Sequence, residues 1–143
     1  MIEVRPCSPA DAAAVSALLT DLGYEVSAAA ATERVQRLSA TGADPTFLAY
    51  ENSQPLGLIA LHRCEMIQYD RPVVRITALV VDHHSRRRGI GRLLIEYALG
   101  WADQAGCRLV ELTSALDRAE AHAFYRNLGF EPSSLRFRKP LGC

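Results

Sequence analysis

No apolar run in this chain approaches the roughly 18 residues that a membrane-spanning helix needs. Neither sign of charge dominates: Lys and Arg total 16, Asp and Glu total 16, and the formal net charge is zero. A general binder of nucleic acid or of a membrane surface carries a basic excess, so neither partner is expected. The four cysteines, Cys7, Cys64, Cys107 and Cys143, form no CxxC pair. Scattered in this way they read as free thiols of a reducing compartment. His83 and His84 have no paired cysteines at finger spacing, so no metal is expected. The opening stretch MIEVRPCSPAD lacks the charged and then apolar blocks of a secretory signal, and a cytoplasmic location is expected. Repeats, low-complexity tracts and linkers are absent as well.

What remains is an ordinary globular mixture, 49% apolar and 22% charged over 143 residues. It fits one α+β or α/β domain spanning 1–143 with room for a core. IEVRPCS alternates at first and predicts a strand ending near Pro6. Ser8, Pro9 and Asp11 then make a capping-box-like helix start, Val15, Leu18, Leu19 and Leu22 form a stripe, and Gly23 stops it. A second helix is expected over ATERVQRLSA. TFLAY and LGLIALHRCEMIQ read as two strands joined around 52–55, with a turn at 69–72 and a β-branched strand VVRITALVV at 73–81. Ile90, Leu93, Leu94, Tyr97, Ala98, Trp101, Ala102 and Ala105 recur at helical spacing, and Gly106 ends that helix. CRLVELTS predicts a strand, RAEAHAFYRNLGF a helix stopped by Gly129, and SLRFRKPL a last strand closing the sheet.

The chemistry concentrates in SRRRGIGRLLIEYALGWA. Three arginines and two glycines stand between a strand and the mouth of a helix. The first N–H groups of a helix have no internal partner, and the helix dipole adds positive potential there. Glycines admit a close ligand and arginines add charged donors, which together make an anion site of phosphate type. Two nucleotide motifs are excluded. No GxxxxGK run followed by Ser or Thr exists, and GxGxxG would require glycine where Leu94 stands.

LVVDHHSRRRGIGRLL resembles the acetyl-CoA-binding motif of the GCN5-related N-acetyltransferases, L-x-V-x-P-x-x-R-x-x-G-x-G. Leu79, Val81, Arg86, Gly89 and Gly91 match in register, while His83 replaces the frequent proline. A second stretch resembles the family's A-x-x-F-Y-x-x-x-G-F helix through Ala121, Phe124, Tyr125, Gly129 and Phe130. Arg118 replaces an asparagine frequent near its start.

The resemblance implies a mixed, mostly antiparallel central sheet flanked by about four helices, with a splay between its two central strands. It implies acetyl-CoA as cosubstrate, with the pyrophosphate on amides of the Arg87, Arg88, Gly89, Ile90, Gly91 and Arg92 loop. Arg86 would position that loop or contact phosphate. Arg87, Arg88 and Arg92 offer further phosphate contacts, and for Arg88 and Arg92 a solvated face is the alternative. The pantetheine arm would lie between TALVV and LVELTS, along Leu79, Val80 and Val81, with the Val81 N–H on the thioester carbonyl. Tyr125 would protonate the leaving thiolate. For the general base, Glu65 and Glu111 on the flanking strands are candidates, beside His83, His84 and a water relay. Arg118 and His122 share a helix face and would meet CoA or an acidic acceptor group, or simply solvent.

The function implied is transfer of acetyl from acetyl-CoA to a primary amine of a small molecule or protein, through a ternary complex. A homodimer is left open. The competing reading is a non-catalytic CoA-binding or regulatory domain on the same fold. Tyr125 speaks against it, and the want of an obvious base speaks for it.

Overall fold

A computed structural model describes residues 1–142. It divides into two compact units, Met1–Glu111 and a second beginning at Leu112.

In the first unit, β1 (Glu3–Pro6) leads to a 3-10 turn at Pro9–Asp11 and then α1 (Ala12–Leu22). The Ser8 N–H donates to the Asp11 carboxylate at 2.8 Å, which is the reciprocal half of the expected capping box. Gly23 takes φ +108° and ends α1 as expected. Helix α2 (Ala28–Ser39) starts three residues before the expected stretch, because the Ser27 hydroxyl accepts the Ala30 N–H at 3.1 Å. Strands β2 (Thr46–Glu51) and β3 (Gln54–Cys64) form a hairpin. Its two central residues, Asn52 and Ser53, both have positive φ, as a primed turn requires.

Strand β4 (Val73–Val81) spans the β-branched run, and α3 (Ile90–Gln104) follows a 3-10 turn at His83–Ser85. The sheet order is β1-β2-β3-β4-β5, with β5 at Leu109–Leu112. The β1–β2, β2–β3 and β3–β4 pairs are antiparallel. The expected mixed, mostly antiparallel sheet is therefore present. Its core is Leu48, Ile59, Leu61, Val73 and Val74 with Ile90, Leu94 and Ile95 of α3, all under 2% exposed.

Two features of this unit shape the ground around β4 and the mouth of α3. Gly57 faces α3 so closely that a Cβ there would meet Leu94 Cδ1 and the Val80 carbonyl oxygen at 3.0 Å and Ile90 Cγ2 at 3.2 Å. The mouth of α3 is thereby pressed onto β3. In addition, β4 carries a bulge: Ala60 pairs with Ala78 but Leu61 with Ile76, so Thr77 has no opposite residue.

In the second unit, α4 (Ala119–Asn127) lies within the expected helix. The strand expected over SLRFRKPL does not form: residues 130–142 carry no strand. Leu135, Phe137 and Leu141 are exposed. Alternation makes a segment fit for a strand, but only a paired edge makes it one, and Pro132 and Pro140 each remove an N–H that pairing would use.

Candidate functional site

The loop between β4 and α3 owes its shape to both ends. At its start, the last turn of α1 reaches across. The His83 N–H donates to Asp21 Oδ2 at 3.2 Å, and His83 Nδ1 lies 3.0 Å from the same oxygen. Asp21 raises the His83 imidazole above its ordinary range, and the His83 bonds lower the Asp21 carboxyl in turn. The His83 substitution thus supplies a tether to α1 where proline would have stiffened the chain. Ser85 is buried, and its N–H donates to the Asp82 carbonyl at 2.8 Å.

At its far end, Gly89 is the N-cap of α3 with φ +78°, a left-handed backbone that suits glycine. Nothing lies within 4 Å of where its Cβ would stand. Arg87 also has positive φ, +66°. Among the described residues, no protein acceptor takes the N–H groups of residues 86–92. The first intrahelical donor is Leu93, to the Gly89 carbonyl at 3.0 Å. A curved row of open amides at a helix N-terminus, beside a glycine with free space, fits a diphosphate.

The arginines differ in availability. Arg88 is engaged by Glu51, at 2.9 and 3.0 Å. Arg92 pairs with Glu96 one turn along α3, at 2.9 Å. Arg86 and Arg87 form no ion pair among the described residues and are the cations most available to a phosphate. The Ile90 and Val80 side chains belong to the core, so only their backbone groups are open to a ligand.

Along β4 the ladder alternates. Asp82 donates its N–H to the Leu56 carbonyl at 2.8 Å, and Val81 stands opposite Gly57. An antiparallel pair turns every second residue away from its partner, so the Val81 and Leu79 N–H groups face away from β3. That is the orientation an extended arm laid beside β4 would use. The expected residues Leu79 to Arg92 are thus contiguous in space.

Glu65 is not among them. Strand β3 ends at Cys64, one residue short of it. The Gly57 end of β3 lies beside Val81, so Glu65 falls beyond the opposite end of the β3–β4 pair. It is exposed and its partner is Arg63 at 3.4 Å. Glu111 on β5 is bound by Arg75 of β4, through Nε at 3.0 Å and an Nη at 2.5 Å.

In the second unit, Tyr125 lies on α4 between Phe124 and Phe130, with ring centroids 5.3 and 6.0 Å away. It is half-buried, and its hydroxyl makes no hydrogen bond among the described residues. Desolvation raises the phenol above its ordinary range, partly offset by Arg118. His122 Nε2 lies 2.7 Å from the Ala115 carbonyl oxygen, so its ring serves the α4 entry. The structure adds Ser114, whose hydroxyl is buried without a partner, a condition that a ligand's polar group would relieve. Nothing in the sequence singled it out.

A strand feeding an amide-lined, arginine-flanked helix mouth is an α/β arrangement with the shape of an anion site. Residues 13–130 match the model of the acetyltransferase (GNAT) family, and the chain belongs to that family. An uncharacterised N-acetyltransferase of Bacillus subtilis strain 168 is 35% identical over 102 residues, 66% of this chain and 67% of that protein. The aminoalkylphosphonate N-acetyltransferase of Salmonella typhimurium strain LT2 is 36% identical over 94 residues, 66% of this chain and 61% of that protein. The aminoglycoside N-acetyltransferase AAC(6')-Iy, solved with CoA, shares the fold at a TM-score of 0.86 and 18% identity, over 100% of this chain and 96% of its own.

Proposed function

We propose that this protein is a cytoplasmic N-acetyltransferase that moves acetyl from acetyl-CoA to a primary amine by direct attack in a ternary complex. The observation that carries the reading is the row of open amides at residues 86–92, directly after a strand whose outward N–H groups suit a pantetheine arm. Arg86 and Arg87 would meet the phosphates. The N–H of Val81, or of Leu79 two residues along, would hold the thioester carbonyl and stabilise the oxyanion of the tetrahedral intermediate. Tyr125 is the proposed general acid for the departing thiolate, and its phenol, raised by burial, keeps its proton at neutral pH. The activities that two of these similar proteins are named for, on aminoalkylphosphonates and aminoglycosides, favour a small polar amine as acceptor.

One observation favours the non-catalytic reading. Strand β4 carries no carboxylate, and Glu111 on the neighbouring β5 is engaged by Arg75. Release of free CoA thiol from acetyl-CoA in the presence of amines separates the two readings.

The site itself is tested by Gly89→Asp. Space around Gly89 lets the variant fold, while a carboxylate at a strained φ opposes a diphosphate. CoA affinity should fall at least about tenfold, about 1.4 kcal/mol, by calorimetry. Unchanged binding by the folded variant would refute the anion site.

A further inference from the structure

An acid beside a phosphate site works against it, and this chain places one there. Glu51 ends β2 at the tip of the β2–β3 hairpin and pairs with Gln54 across the turn. The same end of β3 lies against the start of the amide loop. Gly57 stands opposite Val81, and the Asp82 N–H donates to the Leu56 carbonyl at 2.8 Å. From that position both Glu51 oxygens accept from Nη2 of Arg88, at 2.9 and 3.0 Å. Arg88 directly precedes Gly89, the N-cap of α3, and its own N–H belongs to the row of open amides.

This pair differs in kind from Arg92–Glu96. The latter is an i,i+4 pair on one helix with both side chains more than half exposed, which any helix surface forms locally. Arg88 and Glu51 stand 37 residues apart, and the Glu51 side chain is only 28% exposed, so salt screens its charge less. One nitrogen of Arg88 carries both bonds. Among the described residues Nε and Nη1 have no acceptor. The guanidinium thus keeps donors for a phosphate while a carboxylate cancels its charge. The phosphates are the same in acetyl-CoA and in CoA. Contacts to them hold substrate and product equally and do not lower the barrier between them. Each such contact also slows the departure of CoA, and product release limits turnover in many enzymes. A carboxylate that subtracts from the anion site favours release.

We propose that Glu51 neutralises Arg88 at the mouth of α3, so that acetyl-CoA is held less tightly than the arginines of the loop would allow and CoA leaves readily. The proposal rests on the acetyltransferase reading and deepens it, giving control of donor affinity to an acid outside the glycine motif.

The test is calorimetry on the full chain with CoA and with acetyl-CoA. Glu51→Gln keeps the shape of the side chain and removes its charge. Affinity for both ligands should rise about three- to fivefold at low salt, the upper range for an exposed ion pair. The gain should shrink at high salt. Glu33→Gln removes an equal charge from the exposed Arg37 pair on α2 and should leave affinity unchanged. Adding Arg88→Gln to Glu51→Gln removes both charges together and should return affinity to near the wild-type value. Binding by Glu51→Gln that is no tighter than wild type overturns the proposal. Weaker binding does so too, because the pair then serves to hold the loop, including the left-handed turn at Arg87. A gain that Glu33→Gln reproduces, or that the double variant keeps in full, also overturns it, since the effect then does not run through Arg88. A wild-type chain that binds neither ligand defeats the anion site itself, and this proposal with it.

Discussion

Tyr125 and Arg88 show how differently two motif residues depend on their surroundings. The phenol of Tyr125 is half-buried among Phe124 and Phe130, unbonded at its oxygen and raised by desolvation. Replacing it by phenylalanine keeps the ring packing and removes only the transferable proton. Tyr125→Phe should therefore fold and bind CoA as before. Single-turnover acetyl transfer at saturating amine should slow about 10²-fold, and the loss should sit in kcat rather than in KM for acetyl-CoA. A variant as fast as its parent in that measurement leaves Tyr125 a packing residue. Its register in an A-x-x-F-Y-x-x-x-G-F helix was readable from the sequence. The engagement of Arg88 was not, because Glu51 stands 37 residues away and only the β2–β3 hairpin brings it near.

At the level of elements, α3 shows what positions the anion loop. Ile90 and Leu94 rest on Gly57, and one obstacle to any Cβ there is the Val80 carbonyl oxygen, which is backbone and cannot rotate aside. Gly57→Ala should cost about 1–3 kcal/mol as overpacking. It should also lift the mouth of α3 and weaken CoA binding in the variant that remains folded. Thermal denaturation and calorimetry on the same sample check both, and a variant matching its parent in each shows that the helix yields freely. The helical spacing of α3 and the β-branched run of β4 were legible because each pattern is local. Even so, the expected stripe included Tyr97, which is exposed against Phe47, and omitted Ile95, which is fully buried. Strand β5 is shorter than CRLVELTS, and SLRFRKPL forms no strand, since pairing depends on an edge that periodicity cannot supply. The same limit explains Glu65, placed by its apolar neighbours on a strand that stops at Cys64.

For the molecule as a whole, balanced charge hides an uneven distribution of consequence. Among the described residues, the Arg37–Glu33, Arg63–Glu65 and Arg92–Glu96 pairs are exposed on both sides and contribute little. Asp11 is the exception, being buried where β1, β2 and the first turn meet. Arg5 grips both its oxygens, at 2.8 and 3.1 Å, and the Ser8 N–H and the Tyr50 hydroxyl also donate to it. Those bonds, Arg5 first, lower its carboxyl from 3.8 to about 2. A depressed carboxyl stabilises the fold above its ordinary range and loses that contribution as pH falls from 3.8 toward about 2. Asp11→Asn should cost about 1.5–3 kcal/mol at neutral pH, the worth of hydrogen bonds to a charged group. It should also flatten the stability slope on the acid side. Urea denaturation at neutral pH and near pH 3 measures both, and an equal loss at the two values would show that the charge itself is irrelevant.

The open amides at residues 86–92 have a consequence for how long the chain survives. A ligand that binds only the folded form shifts the unfolding equilibrium by mass action, by about 2.7 kcal/mol at a hundredfold excess over its Kd. With CoA as that ligand, the fraction of molecules open to a protease falls by the same factor of about a hundred. The abundance of this protein would then track the supply of acyl donor, through turnover rather than synthesis.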